Sequence, residues 1–284
     1  PGIPGGVINI VPGGRELGAY LVAHPQLDKV SFTGSTAAGR WVAETCGRLL
    51  RPVTLELGGK SAAVVLDDAD LDLGTVGQKL FEATLVNQGQ TCYLGTRVLA
   101  PASRYDEVVE VFAALAAGLK IGDALDPSTQ IGPLTSERQR ARVEGYIAKG
   151  KAEGATVVVG GGRPQGQDKG WFVQPTVFAD VDNSHTIAQE EIFGPVLSVI
   201  KYADDNDAVR IANDSDYGLG GTVWTSDVER GLGVAKRIRT GTVGINTYLP
   251  DPNAPYGGVK ASGLGRELGP EAIGHYQVVK SIYT

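Results

Sequence analysis

Two side chains in this sequence could carry covalent chemistry together. Cys92 ends the run Asn87-Gln88-Gly89-Gln90-Thr91-Cys92, and Glu56 lies in Thr54-Leu55-Glu56-Leu57-Gly58-Gly59-Lys60. A thiol on a Gly-rich turn can attack an electrophilic carbon if it is partly accessible and its thiolate is stabilised. A carboxylate on a second Gly-rich turn can deprotonate the water that later releases the acyl group. Both residues also have plainer readings. A lone cysteine is usually an inert small apolar residue, which suits Cys46, placed in a helix with Trp41, Val42 and Leu49. Cys92 differs in having polar neighbours, Gln90 and Thr91, and the conformational freedom of Gly89. Glu56 sits in an apolar strand, where it either pairs with a cation such as Lys60 or Arg51 or is kept for chemistry.

Phe32-Thr33-Gly34-Ser35-Thr36-Ala37-Ala38-Gly39 reads as a strand passing through a Gly-Ser turn into a helix. Amide N–H groups at such a turn can hold phosphate. The run lacks the G-x-G-x-x-G spacing, and a Ser or Thr helix cap explains it equally. Gly59-Lys60-Ser61 looks like the end of a P-loop, but Thr54 stands where the first glycine belongs, so a nucleoside triphosphate site is excluded there. Glu190-Glu191-Ile192-Phe193-Gly194-Pro195-Val196 places acids and an aromatic ring before a strand; a solvated acidic face is its alternative. His24, His185 and His275 are scattered, and no His/Cys/Asp set has metal-ligand spacing, so no metal is expected.

These residues need a scaffold, and the pattern describes one. The chain has 284 residues, 42% of them hydrophobic, enough for one or two cores. Strands are expected over residues 7–11, 29–33, 53–57, 61–66, 97–100, 156–159, 172–178, 196–202, 222–224, 244–246 and 276–284. Helices are expected over 16–23, 37–49, 71–86, 105–118, 137–150, 205–213 and 228–239. Alternating strands and helices with glycine turns indicate an α/β chain with a parallel sheet. A net charge of −6 disfavours nucleic-acid and anionic-membrane partners, and no apolar run approaches a membrane span. Two cysteines in an acidic chain without a basic-apolar leader read as free thiols and a cytoplasmic protein.

Nine blocks, in order, resemble the aldehyde dehydrogenase superfamily over the whole chain: FTGSTAAG, LELGGKS, FEATLVNQGQTC, KIGDALDPSTQIGPL, EEIFGPV, YGLGGTVW, GTVGIN, PYGGVKASGLGRELG and YQVVKSIYT. The resemblance implies that Cys92 is the nucleophile and Glu56 the general base in oxidation of an aldehyde to a carboxylic acid with NAD or NADP. A carboxylate at position 56 favours hydrolysis of the thioester over its transfer to coenzyme A. The resemblance also places Gly34, Ser35 and Gly39 near the pyrophosphate. It places Glu191 and Phe193 beside the nicotinamide ribose, Leu57 and Gly58 at the nicotinamide, and Thr91, Tyr93 and Tyr256 at the substrate tunnel. The tyrosines suggest an apolar or aromatic aldehyde.

The implied organisation is a partial dinucleotide-binding sheet over 1–58, a catalytic domain over 59–265, and a tail over 266–284 whose strand pairs with another subunit in a dimer or tetramer. The chain starts with Pro1 and contains no methionine, and the family's long N-terminal portion is not in it. It is therefore expected to be a fragment, inactive alone. Two other readings follow: a non-catalytic binding or structural remnant, and a semialdehyde- or ester-processing relative that uses the same thiol.

Overall fold

The computed structural model describes residues 2–284. Two sheets organise it. In the first, β1 (Val30–Thr33) and β2 (Val53–Glu56) run parallel, in register from Val30 opposite Val53 to Thr33 opposite Glu56. The helix α2 (Thr36–Arg48) connects them. It starts where Ser35 caps it, the Ser35 hydroxyl accepting from the Ala38 N–H at 3.3 Å. Its inner face, Val42 and Cys46, packs with Val30, Leu55 and Leu57 in a small core. A third strand, β10 (Gly263–Leu264), returns from the far end of the chain and pairs antiparallel with β2, placing Gly263 opposite Glu56. Glu56 thus ends the central strand, flanked on both sides.

The second sheet has the order β5-β6-β7-β4-β3-β8-β9, from β5 (Thr156–Val159), β6 (Thr176–Ala179), β7 (Val196–Tyr202), β4 (Arg97–Pro101), β3 (Ala62–Val65), β8 (Gly221–Trp224) and β9 (Gly244–Ile245). All pairs are parallel except β5 with β6. Helices cover both faces, so β3, β4, β6, β7 and β8 are buried along nearly their whole length rather than alternating, whereas the edge strand β5 alternates between exposed and half-buried residues. Alternate residues enter different cores: Val64, Leu99 and Val223 join one, while Ala63, Val65 and Val98 join the other. The first core takes in α5 (Glu137–Ala152) through Val143 and Ile147 and α7 (Asp205–Asn213) through Ala208 and Ile211. The second takes in α3 (Leu73–Thr84) through Leu80 and Phe81, and α4 (Tyr105–Gly118) through Val108 and Phe112.

Most expected elements form within a few residues of their anticipated ends. Residues 7–11 do not form a strand: Val7, Ile8, Ile10 and Val11 are exposed, and no strand among the described residues pairs with them. Residues 276–284 differ likewise. A 3-10 stretch, Pro270–Tyr276, is followed by an unpaired extended tail with Val278, Val279, Ile282 and Tyr283 exposed. Apolar, β-branched residues supply one half of a strand; the other half is a neighbour for its N–H and C=O groups. The helix expected to reach residue 86 stops at Thr84, because Asn87 and Gln88 adopt left-handed backbone, φ 56° each.

Candidate active site

The turn that ends α3 displays the thiol. Gly89 follows the two left-handed residues with φ 70°, and a Cβ on it would stand 2.1 Å from the carbonyl oxygen of Gly194. The turn is therefore pressed against Gly194-Pro195, where only glycine fits. Its polar side chains hold it in shape: the Asn87 amide donates to Gln90 O at 3.1 Å, and Gln90 Oε1 accepts from the Thr135 N–H at 3.0 Å. Cys92 emerges half-buried, as a free thiol. Its Sγ lies 3.7 Å from the Tyr256 hydroxyl. Burial pushes the thiol's pKa up, and the Tyr256 contact pulls it back. Cys46 is a buried free thiol inside α2, the inert reading.

Glu56 is buried, and neither carboxyl oxygen has a hydrogen-bond partner among the described residues. The ion pairs open to it are not made. Arg51 donates instead to the carbonyls of Val22 and His24, and Lys60 turns into the interior with its Nζ unpartnered. Burial, reinforced by the negative charge of Glu267 and opposed by Arg266, pushes the Glu56 pKa up to about 8. Gly257, at φ 152°, closes over the carboxyl group; a Cβ there would stand 2.5 Å from Glu56 Oε1.

The turn after β2 joins the pieces. A Cβ on Gly59 would come within 2.3 Å of Cys92 O, and one on Gly58 within 2.5 Å of Glu191 Oε2. The Gly59 N–H donates to Glu191 Oε1 at 3.0 Å. Two adjacent glycines therefore let the Glu56 strand end, the Cys92 turn and the Glu191 loop meet without intervening side chains. Together they border a cleft of about 780 Å³, lined also by Thr33, Gly34, Ser35, Glu56, Leu57 and Gly58. Thr91, Cys92, Glu191 and Phe193 line it as well.

Nine of the twelve residues singled out in the sequence line this one cleft. The other three, Gly39, Tyr93 and Tyr256, do not line it. Gly39 is buried in α2, where a Cβ would meet Leu57 Cδ2 at 2.3 Å; it lets the helix approach the strand end. Tyr93 stacks on Tyr248 with ring centroids 4.8 Å apart. Tyr256 reaches the sulfur. The sequence reading missed residues that hold the loops. Gln139 on α5 donates to Ile192 O at 3.2 Å and to Phe193 O at 2.6 Å, and Arg142 donates to Glu191 O at 2.5 Å. Their i,i+3 spacing marks one helix face but says nothing about which loop that face meets. The buried Arg97, at the start of β4, donates to Lys60 O, Ile211 O and Ala212 O and so anchors the Gly58-Gly59 turn from below.

The profile of the "Aldehyde dehydrogenase family" matches residues 1–282. The chain is 61% identical over 282 residues to a geranial dehydrogenase of Castellaniella defragrans, covering 99% of this chain and 58% of that protein. It is 46% identical over 285 residues to a betaine aldehyde dehydrogenase of Brucella melitensis biotype 2, with the same coverage of each. A crystal structure of Mycobacterium tuberculosis aldehyde dehydrogenase complexed with NAD+ is similar with a TM-score of 0.93 at 55% identity, over 97% of this chain and 56% of that one. The chain thus spans a little over half the length of these relatives.

Proposed function

The chain belongs to the aldehyde dehydrogenase family, and from that membership we propose that the whole protein oxidises an aldehyde to a carboxylic acid with NAD or NADP, through a thioester on Cys92 that Glu56 helps to hydrolyse. The observation that carries this reading is the placement of a half-buried thiol and an unpaired carboxyl group on one cleft.

The cleft suits a dinucleotide. The N-terminus of α2, with Gly34 and Ser35, supplies N–H groups for phosphate. Glu191, held by the Gly59 N–H, would accept from ribose hydroxyls, with Phe193 beside the ring. Gly58 keeps the wall free of a Cβ that Glu191 would meet. The nicotinamide, when bound, accepts the hydride lost by the aldehyde carbon.

The chain's own residues do the rest. The Cys92 thiolate adds to the aldehyde carbon, and the carbonyl electrons move to oxygen, which the Cys92 N–H stabilises. After oxidation the carbon is a thioester. Glu56, as carboxylate, takes a proton from water; the resulting hydroxide adds to the thioester, and Cys92 leaves as thiolate. The tyrosines around the sulfur, Tyr93, Tyr248 and Tyr256, favour an apolar or aromatic aldehyde, as does similarity to a protein named geranial dehydrogenase.

We assign residues 1–58 to the dinucleotide-binding domain, 59–265 to the catalytic domain and 266–284 to a tail. The exposed run Val278, Val279, Ile282 and Tyr283 supports a homo-oligomer in which the tail pairs with a second copy. The catalytic assignment is tested in the whole protein. Cys92→Ser is expected to lower turnover by at least about 10³-fold. Glu56→Gln is expected to keep a single-turnover burst of reduced cofactor while steady turnover falls about 10²- to 10⁴-fold. Unchanged turnover in Cys92→Ser would overturn the reading.

A further inference from the structure

Cys92 lies among groups that oppose its ionisation. Burial is the largest influence, and the carboxyl groups of Glu191 and Glu56 add to it. Tyr93 and Tyr248, stacked on each other, face it from the sides; the Tyr248 hydroxyl is engaged with Thr242 Oγ1. Among the described residues the sulfur has one side-chain hydrogen-bond partner, the Tyr256 hydroxyl at 3.7 Å. The phenol is held there by its backbone. Tyr256 and Glu267 exchange two N–H···O bonds of 2.7 Å, forming an isolated antiparallel bridge. The next residue, Gly257, closes on the Glu56 carboxyl group. One dipeptide thus touches both the nucleophile and the general base.

We propose that Tyr256 is a further catalytic residue, whose phenolic O–H donates to the Cys92 sulfur and stabilises the thiolate before attack. The inference rests on Cys92 being the nucleophile. On ionisation the thiol proton leaves to solvent, the charge stays on sulfur, and the phenol keeps its own proton and donates. Burial and the neighbouring Cys92 push the Tyr256 pKa upward, so the phenol remains a donor while the thiol titrates. When the S–C bond forms, the sulfur loses its charge and the hydrogen bond weakens, which leaves Cys92 free to engage the substrate. A phenylalanine would fill the same space and leave the thiolate without this donor.

The test reads the thiol directly and needs neither cofactor nor turnover. The rate of iodoacetamide alkylation of Cys92 is followed against pH in the whole protein and in its Tyr256→Phe variant, with the modified peptide identified by mass. Cys92→Ser sets the background, and Cys46 is shielded by burial. The expected result for Tyr256→Phe is a rise of about one unit in the midpoint, a tenfold loss of thiolate below it. The alkylation rate there falls only several-fold, because the more basic thiolate is intrinsically more nucleophilic. A Tyr256→Phe midpoint equal to or below that of the parent overturns the proposal. If Tyr256→Phe does not fold, by circular dichroism, fluorotyrosine at position 256 replaces it. The more acidic phenol is then expected to lower the midpoint, and no change overturns the proposal. Failure of the nucleophile assignment is separate: it shows as aldehyde oxidation surviving Cys92→Ser in the whole protein.

Discussion

Gly59 lies against the carbonyl oxygen of Cys92 so closely that a Cβ on Gly59 would stand 2.3 Å from it. The obstacle is backbone, which cannot swing aside as a side chain would. Gly59→Ala must therefore push the Cys92 turn away from the β2 turn, and with it the thiol from Glu56. The same shift breaks the Gly59 N–H bond to Glu191. Overpacking of this kind costs about 1–3 kcal/mol. The expected outcome is a lower denaturation midpoint together with slower alkylation of Cys92. Wild-type alkylation kinetics in the alanine variant would show that the two turns are not coupled.

Glu56 sets a pH dependence with opposite signs for catalysis and stability. Its pKa is about 8 in the fold against an ordinary 4.5. As a general base it works ionised, so thioester hydrolysis is expected to rise with pH through about 8, and Glu56→Gln is expected to remove that limb. For stability, the folded chain keeps the proton between 4.5 and 8 while the unfolded chain has lost it. Stability contributed by this group is therefore full below 4.5 and is lost as pH rises to about 8. Denaturant titrations of wild type and Glu56→Gln across this range measure the difference, which is expected to grow with pH in favour of the glutamine variant.

The parts of this site legible in the sequence are those carried by local chemistry. Asn87 to Gly89 announced a turn, Ser35 a helix start, and Val53 to Leu57 a buried strand, and each forms close to its expected place. Ser35 shows how two readings coexist: it caps α2 and also lines the cleft. Long-range partners were not legible. No periodicity reveals that Gly263 returns to lie opposite Glu56, because a two-residue strand has no pattern to repeat. Nor does Gln139 announce that it holds Phe193 O, since its helix shows only which residues share a face. Val7 and Val278 illustrate the reverse error. Both sit in runs with strand composition, and neither run has a pairing strand among the described residues.

Arg97 is expected to matter more for the site than its distance from the cleft suggests. Its buried guanidinium donates to Lys60 O at 2.9 Å, Ile211 O at 3.0 Å and Ala212 O at 2.9 Å. Arg97→Met fills the volume but removes a donor from all three carbonyls; Ile211 O keeps the Asp214 N–H, whereas Lys60 O and Ala212 O lose the guanidinium at about 1–3 kcal/mol each. Relief from burying a guanidinium offsets part of this. The net expectation is a loss of at least about 2 kcal/mol in chemical denaturation. Arg97→Lys should recover only part, because one ammonium cannot span a fork that reaches Lys60 O, α7 and Asn183. A fully stable Arg97→Met protein would mean that the carbonyls are satisfied in another way.

Lys60 supplies the opposite case, a buried cation whose removal should help. It is 1% exposed, and its Nζ has no hydrogen-bond partner among the described residues. Burial, with the positive charge of Arg97, pushes its pKa from an ordinary 10.5 down to about 7, although Glu191 and Glu190 pull the other way. Between those two values the unfolded chain holds a proton that the folded chain has released, so wild-type stability rises with pH across the interval. Lys60→Met keeps most of the volume and removes both the proton and the unsatisfied amine. The variant is expected to be more stable than wild type by about 1–3 kcal/mol near neutral pH. That advantage should stay constant below about 7 and shrink as pH rises toward 10.5. Denaturant midpoints for the two proteins, measured across that interval, decide the matter. A methionine variant less stable than wild type at every pH would mean that the ammonium has a partner, such as an ordered water, that offsets its burial.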